Sequence, residues 1–147
     1  MSSFSKPNAA ERIFNRLFGL LVGAGLGLRH NFLLEVRGRK SGHVRRTPVN
    51  VLEQNGKRFL VAARGETQWV RNAYASREVT LTKGRRHELV RLRVVPNEEK
   101  PPILKAYLDR FRLTVQRYCP VPAGSPPAAF VRLADHYPVF ELIRTQK

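Results

Sequence analysis

The residues best suited to chemistry lie in one short basic segment, residues 36–48, with the sequence VRGRKSGHVRRTP. Two glycines allow a tight turn there, and Ser41 supplies a hydroxyl. Four cationic side chains surround that hydroxyl: Arg39, Lys40, Arg45 and Arg46. Hydrogen bonds from charged donors contribute about 1.5 to 3 kcal/mol each, so two or three of them would hold a phosphate or a carboxylate. The segment predicts an anion-binding turn, although a basic turn that only adds surface charge has a similar composition.

The residue patterns of cofactor-free catalysis are missing from the sequence. It contains no G-x-S-x-G nucleophile motif and no Cys-His pair. The single cysteine, Cys119, excludes an internal disulfide and a thiolate-rich metal site, and it is typical of a protein of the reducing cytoplasm. The four histidines are scattered, so no bound metal is expected. Tyr107 and Tyr118 are the candidate catalytic groups, as proton donors to an acceptor.

The charge balance indicates an anionic partner. Lys and Arg number 27 against 11 Asp and Glu, which gives a formal net charge of +16 over 147 residues. Nucleic acid, anionic lipid and a polyanionic small molecule would all be attracted to such a surface. The sequence lacks RNP aromatic residues and helix-turn-helix spacing, so nucleic acid is not the expected partner.

The apolar pattern divides the chain near residue 30. Residues 1–30 are predicted to form an amphipathic helix over residues 8–22, followed by a glycine-rich segment, and residues 31–147 are predicted to form one domain. The apolar run at residues 17–28 is shorter than the roughly 20 residues that a spanning helix needs. The amphipathic helix is therefore expected either to pack on the domain or to lie on an anionic membrane surface.

The domain is predicted to be mainly β with flanking helices, an α+β fold. Strands are predicted at residues 32–36, 48–53, 59–63, 79–82, 88–95 and 139–143. Asn55-Gly56 predicts a type I′ hairpin, and residues 83–86 predict a second hairpin. Helices are predicted at residues 67–75 and 97–112, each capped by its first residue, and after Ser125. Short consecutive strands favour antiparallel pairing, and closing the sheet removes its edges, so we expect a barrel of about six antiparallel strands.

Two spaced blocks of sequence resemble the deazaflavin-dependent nitroreductase and quinone reductase family. The first block is the motif G-R-K-S-G-x-x-R-x-[ST]-P, which is complete from Gly38 to Pro48. The second is V-A-A-R-G at residues 61–65 followed by W-V-R-N at residues 69–72. The similarity covers residues 33–95, and Y-P-V-F at residues 137–140 is also similar. Two blocks in order are more specific than either block alone.

This resemblance implies a split β-barrel of the FMN-binding type that binds coenzyme F420. The implied activity is hydride transfer between the reduced deazaflavin and a hydrophobic quinone-like or nitro acceptor. The cofactor's phosphate and oligoglutamate tail would lie on Arg39, Lys40, Ser41, Gly42 and Arg45. The ring would be bordered by Thr47, Pro48, Val49, Ala63, Arg64 and Gly65. Trp69 and Asn72 would support the site from the following helix.

Other readings of the same residues stay open at this stage. Related barrels bind FMN, and some short relatives handle lipids or fatty acids without redox chemistry. Family members that reduce nitro compounds and menaquinone often have Ser-Lys where this chain has Ala63-Arg64, so the sequence leaves the acceptor open. The expected location is the cytoplasm, with a peripheral contact at the inner face of the membrane, and the expected assembly is a monomer or a homodimer.

Overall fold

The computed structural model describes residues 30–145. The predicted helix at residues 8–22 and the glycine-rich segment lie outside these residues, so they stay predictions, as does the division at residue 30. The six strands are β1 Asn31–Arg37, β2 Val44–Gln54, β3 Lys57–Val61, β4 Glu78–Lys83, β5 Arg86–Val94 and β6 Val139–Arg144. The two α-helices are α1 Gln68–Ser76 and α2 Lys100–Val115. Shorter 3-10 helices lie at Asn97–Glu99, Gln116–Tyr118 and Pro127–His136.

The six strands close into an antiparallel barrel in the order β1-β2-β3-β6-β5-β4. Closure is made by β1, which pairs with β2 along its whole length and with β4 from Leu33 to Glu35. The predicted barrel is therefore confirmed. Side chains alternate between its two faces, as the period of a strand requires, so that Val79 and Leu81 of β4 point inward and are buried.

The apolar side chains form two cores, one inside the barrel and one outside it. The inner core includes Leu34, Leu60, Val90 and Phe140. The outer core lies where α2 and the Pro127–His136 segment cover β3 and β6. The α2 residues in it have the spacing i, i+3, i+4, i+7 that predicts a buried helix face: Leu104, Tyr107, Leu108 and Phe111.

Both predicted hairpins are present. Asn55 and Gly56 have φ values of 53° and 75°, the two positive angles that a type I′ turn requires, and they join the paired residues Gln54 and Lys57. In the second hairpin Gly84, with φ of 60°, supplies the positive angle. These short turns set the registers of β2 with β3 and of β4 with β5.

The helix starts differ from the predictions. Thr67 precedes α1 in an extended conformation, but its hydroxyl makes no cap hydrogen bond. Asn97 begins a 3-10 turn, and α2 starts at Lys100 and continues to Val115. Prolines at positions 101 and 102 explain the missing cap there, because they remove N–H groups that a cap would satisfy. The helix predicted after Ser125 is a 3-10 helix.

Among residues 30–145, no helix is both long and apolar enough to cross a membrane.

Phe140 is expected to be a main source of stability. Its side chain is 0% exposed, and its ring lies 6.0 Å from that of Trp69 and 5.1 Å from that of Tyr74. Phe140→Ala should lower the free energy of unfolding by about 3 to 5 kcal/mol, because it leaves a cavity in a closed barrel. Leu113, which is 96% exposed, provides the control, and Leu113→Ala should change stability by less than about 0.5 kcal/mol. Similar urea midpoints for the two variants would contradict this account of the core.

Candidate functional site

The basic segment forms a closed turn between β1 and β2. The Gly38 N–H donates to the His43 carbonyl at 2.7 Å, and the Gly42 N–H donates to the Gly38 carbonyl at 2.9 Å. The Ser41 hydroxyl accepts from the His43 N–H at 3.1 Å. Both glycines are required, since Gly42 has φ of 75° and a Cβ on Gly38 would lie 2.9 Å from the Ser41 oxygen. The turn is therefore shaped by its own hydrogen bonds.

Helix α1 holds this turn through Arg39. The Arg39 N–H donates to the Asn72 Oδ1 at 3.1 Å, and the Arg39 guanidinium donates to the same oxygen at 2.8 Å. The guanidinium also donates to Gln68 Oε1 at 3.1 Å. The Asn72 side chain is only 5% exposed. These bonds bring together the two sequence blocks that carry the family resemblance.

The four cations of the turn fall into two pairs. Arg39 is bonded to α1, and Arg46 lies 3.2 Å from the Glu35 carboxylate, which also accepts from the Thr82 hydroxyl. Lys40 and Arg45 are exposed, and within residues 30–145 neither forms an ion pair or a side-chain hydrogen bond. No Asp or Glu occurs between residues 36 and 52. The turn thus presents two cations that are available to an anion.

Thr47, Pro48 and Val49 lie half-buried in the first half of β2, opposite Leu34, Leu33 and Phe32 of β1. Strand β3 pairs with β2 only from Val51 onward, so the first half of β2 is paired with β1 alone. Because the Val51 N–H points to β1, alternation directs the position of Pro48 to the other edge. Proline fits there, since no hydrogen bond to β1 is lost, and β2 accordingly begins four residues earlier than predicted.

Ala63, Arg64 and Gly65 form a turn where β3 ends. The Gly65 N–H donates to the Ala62 carbonyl at 3.0 Å, and Gly65 has φ of 82°. The strand therefore stops at Val61 and not at residue 63 as predicted. The Arg64 guanidinium lies 5.5 Å from the centre of the Tyr118 ring, within the range of a cation–π contact. This turn therefore contacts the 3-10 helix Gln116–Tyr118, which follows α2.

The two candidate proton donors have different surroundings. Tyr107 is 6% exposed, and burial raises its pKa to about 12, while a hydrogen bond with Asn50 acts in the opposite direction. Tyr118 is half-buried, and its hydroxyl accepts from the Arg117 guanidinium at 2.7 Å. Both tyrosines line an apolar cavity of about 20 Å³. Their catalytic role stays a prediction, and Tyr118 is the one in contact with the Arg64 turn.

Three contributors to this region were not predicted from the sequence. Gln68 bonds Arg39, Arg117 bonds the Tyr118 hydroxyl, and the Tyr137 hydroxyl donates to the Tyr118 carbonyl at 2.7 Å. Gln68 had a detectable signal, because it precedes Asn72 by four residues and so shares its helix face. Tyr137 begins the Y-P-V-F segment that resembles the family, although its hydrogen bond was not predicted, and Arg117 had no comparable local signal.

Two carboxylates away from the turn form ion pairs between strands. Arg58 of β3 binds Glu88 of β5 at 2.7 Å, and this hydrogen bond holds the Glu88 pKa below its usual value. Arg93 of β5 binds Glu141 of β6 at 2.8 Å. In the described part of the chain, no group of three His, Cys, Asp or Glu side chains is placed to hold a metal ion.

The six-stranded barrel, in which the first half of β2 has no pairing with β3, is a split β-barrel of the FMN-binding type. Solved structures are similar to it. A structure described as a domain-swapped dimer is 24% identical, with a TM-score of 0.55 over 90% of this chain and 92% of its own. An F420-H2 dependent reductase, FDR-A, is 23% identical, with a TM-score of 0.53 over 78% and 94%. Atu2129 of Agrobacterium tumefaciens, a protein of unknown function, is 17% identical, with a TM-score of 0.59 over 99% and 60%.

The family follows from the sequence match. The profile of the F420H(2)-dependent quinone reductase family matches residues 10–118, which is most of the chain. The chain therefore belongs to this family, and the resemblance inferred from the two sequence blocks is confirmed. No curated protein matches the chain.

The raised pKa of Tyr107 predicts a loss of stability in alkaline solution. The unfolded chain loses the phenolic proton near pH 10, whereas the folded chain retains it until about pH 12. The stabilisation from this difference is therefore full below pH 10 and disappears between about pH 10 and 12. Over that window the wild type should lose about 2 to 3 kcal/mol more than Tyr107→Phe. Identical pH profiles in urea denaturation would show that the hydroxyl is not buried.

Proposed function

We propose that this protein is a deazaflavin-dependent oxidoreductase that holds coenzyme F420 at the basic turn and transfers hydride to a hydrophobic quinone-like or nitro acceptor. Family membership supports the dependence on F420H2. The observation that supports this particular site is the pair of exposed cations, Lys40 and Arg45, on a turn that contains no carboxylate. The acceptor class is the part of the proposal that goes furthest beyond the family.

The residues of the turn fit the anionic tail of F420, which carries one phosphate and several carboxylates. The Lys40 ammonium and the Arg45 guanidinium together offer up to eight donors to anionic oxygens. Gly42 has open space where a Cβ would be, so a ligand can approach its backbone closely. The Ser41 hydroxyl accepts from His43 and still has its own proton to donate. We assign the tail to Lys40, Ser41, Gly42 and Arg45, with Arg39 beside them.

The ring of the cofactor is proposed to lie between the open half of β2 and the turn after β3. Thr47, Pro48 and Val49 provide a half-buried wall on one side, and Ala63, Arg64 and Gly65 provide the other. These residues are mostly small or apolar, and a surface of this kind excludes water from a reacting centre. Trp69 and Asn72 lie behind the site on α1, where Trp69 packs on Phe140 and Asn72 bonds the basic turn.

When bound, the reduced cofactor supplies the hydride, so the protein needs no nucleophile of its own. The chain's part is to bind the tail, to orient the ring and to keep water away. We propose Tyr118 as the proton donor to the acceptor, because it is half-buried beside Arg64 and its hydroxyl is ordered by Arg117. Tyr107 is the second candidate, but its hydroxyl is buried and bonded to Asn50.

The acceptor is proposed to enter beside Tyr118, at the apolar cavity. Its lining includes Val61, Ala63, Leu108 and Tyr137, which suits a hydrophobic molecule better than a charged one. At about 20 Å³ the cavity has room for about one water molecule. A ring-sized acceptor therefore requires the Tyr118 side of the cavity to move outward.

Binding of F420 should depend on Lys40 and Arg45. The double variant Lys40→Met/Arg45→Met should weaken binding at least about tenfold and flatten its salt dependence, because two ionic contacts are lost. Fluorescence titration of the purified protein with F420 measures both quantities. The matched control is Arg91→Met/Arg132→Met, which removes the same charge from exposed positions on β5 and on the Pro127–His136 segment.

Equal affinities of the two double variants would contradict the assignment of the tail to the turn. A parallel titration with FMN addresses the alternative cofactor. Binding of FMN in preference to F420 by the wild type would contradict the proposed cofactor while leaving the fold unaffected.

A hydrophobic acceptor is expected to be reached at an anionic membrane. The support is the amphipathic pattern of residues 8–22 together with the net charge of +16. The protein should bind vesicles that contain anionic lipid more tightly than neutral vesicles, and it should oxidise reduced F420 faster when a menaquinone analogue is present in them. The double substitution Leu17→Glu/Leu21→Glu should abolish the vesicle effect. Oxidation that ignores lipid charge in both proteins would favour a soluble acceptor.

A further inference from the structure

We propose that Arg39 and Asn72 form a strut that positions the basic turn, so that Arg39 is not an anion ligand but a positioning residue for Lys40, whereas Arg45 is positioned by its pairing with Val36 in the sheet. This inference rests on the proposed F420 site and deepens it, because it divides the cations of the motif into one that builds the site and two that bind the ligand. It changes the role that the family resemblance implies for Arg39.

The first observation is that a single oxygen fixes two parts of Arg39. Asn72 Oδ1 accepts from the Arg39 backbone N–H at 3.1 Å and from its guanidinium at 2.8 Å. Gln68, one helical turn earlier, accepts from the same guanidinium at 3.1 Å. Because the backbone and the side chain of Arg39 are both bonded to α1, these bonds restrain the position and the direction of the turn.

The second observation is that the anchor is rigid. Helix α1 is fixed against the barrel by Val70 and Ala73, which are both 0% exposed, and Asn72 lies between them. The turn, in contrast, is exposed from Arg39 onward, and the other hydrogen bonds of residues 38–43 lie within the turn or come from the end of β1, where the Arg37 guanidinium donates to the Gly42 carbonyl at 2.9 Å. The bonds of Arg39 are those that join the turn to α1.

The third observation concerns charge. Arg39 is held by two neutral amides and not by a carboxylate, so the turn keeps its full positive potential. An aspartate at position 72 would bind the guanidinium more strongly, but it would place a negative charge beside the ligand. The amide therefore restrains the turn without weakening its attraction for an anion. Lys40 then meets the ligand from a turn that is already ordered, and Arg45 meets it from a paired strand, which lowers the entropic cost of binding.

The strut is tested first without any cofactor, by hydrogen exchange of the backbone amides of residues 39–43. Asn72→Leu, which removes the acceptor but keeps the bulk, should speed exchange in the turn at least about tenfold. Asn72→Asp should keep the protection. If Asn72→Leu does not fold, as judged by circular dichroism, Arg39→Met is the second test: it removes the guanidinium bonds but keeps the backbone bond to Asn72, so it should speed exchange by a smaller factor. Unchanged exchange in a folded Asn72→Leu protein, or in Arg39→Met where Asn72→Leu does not fold, overturns the strut.

The division of roles is tested by F420 titrations at several salt concentrations. Arg39→Met and Lys40→Met remove one charge each and form a matched pair. Lys40→Met should reduce the salt dependence strongly, whereas Arg39→Met should weaken binding several-fold with a clearly smaller reduction in salt dependence, because it removes a nearby charge and an ordering restraint but no direct ionic contact. Asn72→Asp should weaken binding while the turn stays protected. An equal reduction of salt dependence in Arg39→Met and Lys40→Met would make Arg39 an anion ligand and overturn the proposal.

The two levels of inference fail separately. If the wild type binds no F420, the proposed function is wrong, and the exchange measurements still decide whether Asn72 and Arg39 order the turn. If the wild type binds F420 but the exchange in the turn is insensitive to position 72, the function stands and the strut is wrong.

Discussion

The pairing of β1 with both β2 and β4 is the constraint on which the rest of the domain depends. It closes the barrel, and it continues to the last pair, Arg37 with Val44, immediately before the basic turn. The turn therefore emerges from a paired part of the sheet, with six residues between the two strands. Its own hydrogen bonds then determine its shape, and α1 determines its direction through Arg39. A mobile loop with the same composition would have the charge without this geometry.

The excess of positive charge is distributed in a way that separates stability from binding. Strand carboxylates such as Glu88 and Glu141 are matched with Arg58 and Arg93 across the barrel surface, where they add registry between strands that are far apart in sequence. Both pairs are partly buried, and Arg58 binds Glu88 through two hydrogen bonds, so these pairs contribute more than exposed ion pairs do. They also keep these carboxylates from competing with a ligand for cations, and the turn itself has no carboxylate. The positive charge is therefore most available to an anion at Lys40 and Arg45, which form no ion pair within residues 30–145.

The sequence predicted those parts of the fold that depend on residues close together in the chain. The two hairpins were predictable because the glycines in the two-residue loops, Asn55-Gly56 and Gly84-Arg85, adopt the positive φ angles that such turns require, and the buried face of α2 was predictable from its period. The start of β2 was not, because the polar residues before Pro48 do not alternate in the way that marks a strand. They are strand residues because β1 supplies a partner for them. Likewise, Thr67 has the residue type of a helix cap, yet its hydroxyl makes no cap hydrogen bond in the folded chain.

The same distinction applies to the site. The sequence motif identified which residues surround the turn, since spacing and residue type are local properties, but it did not identify which of its cations is engaged by the protein. That depends on a bond between Arg39 and Asn72, which lie 33 residues apart and meet in the folded domain. We therefore propose that Arg39 supports binding without touching the ligand. The observation behind this division of roles is the partner of each side chain: the Arg39 guanidinium bonds the buried Asn72, whereas Lys40 and Arg45 are exposed and form no ion pair within residues 30–145.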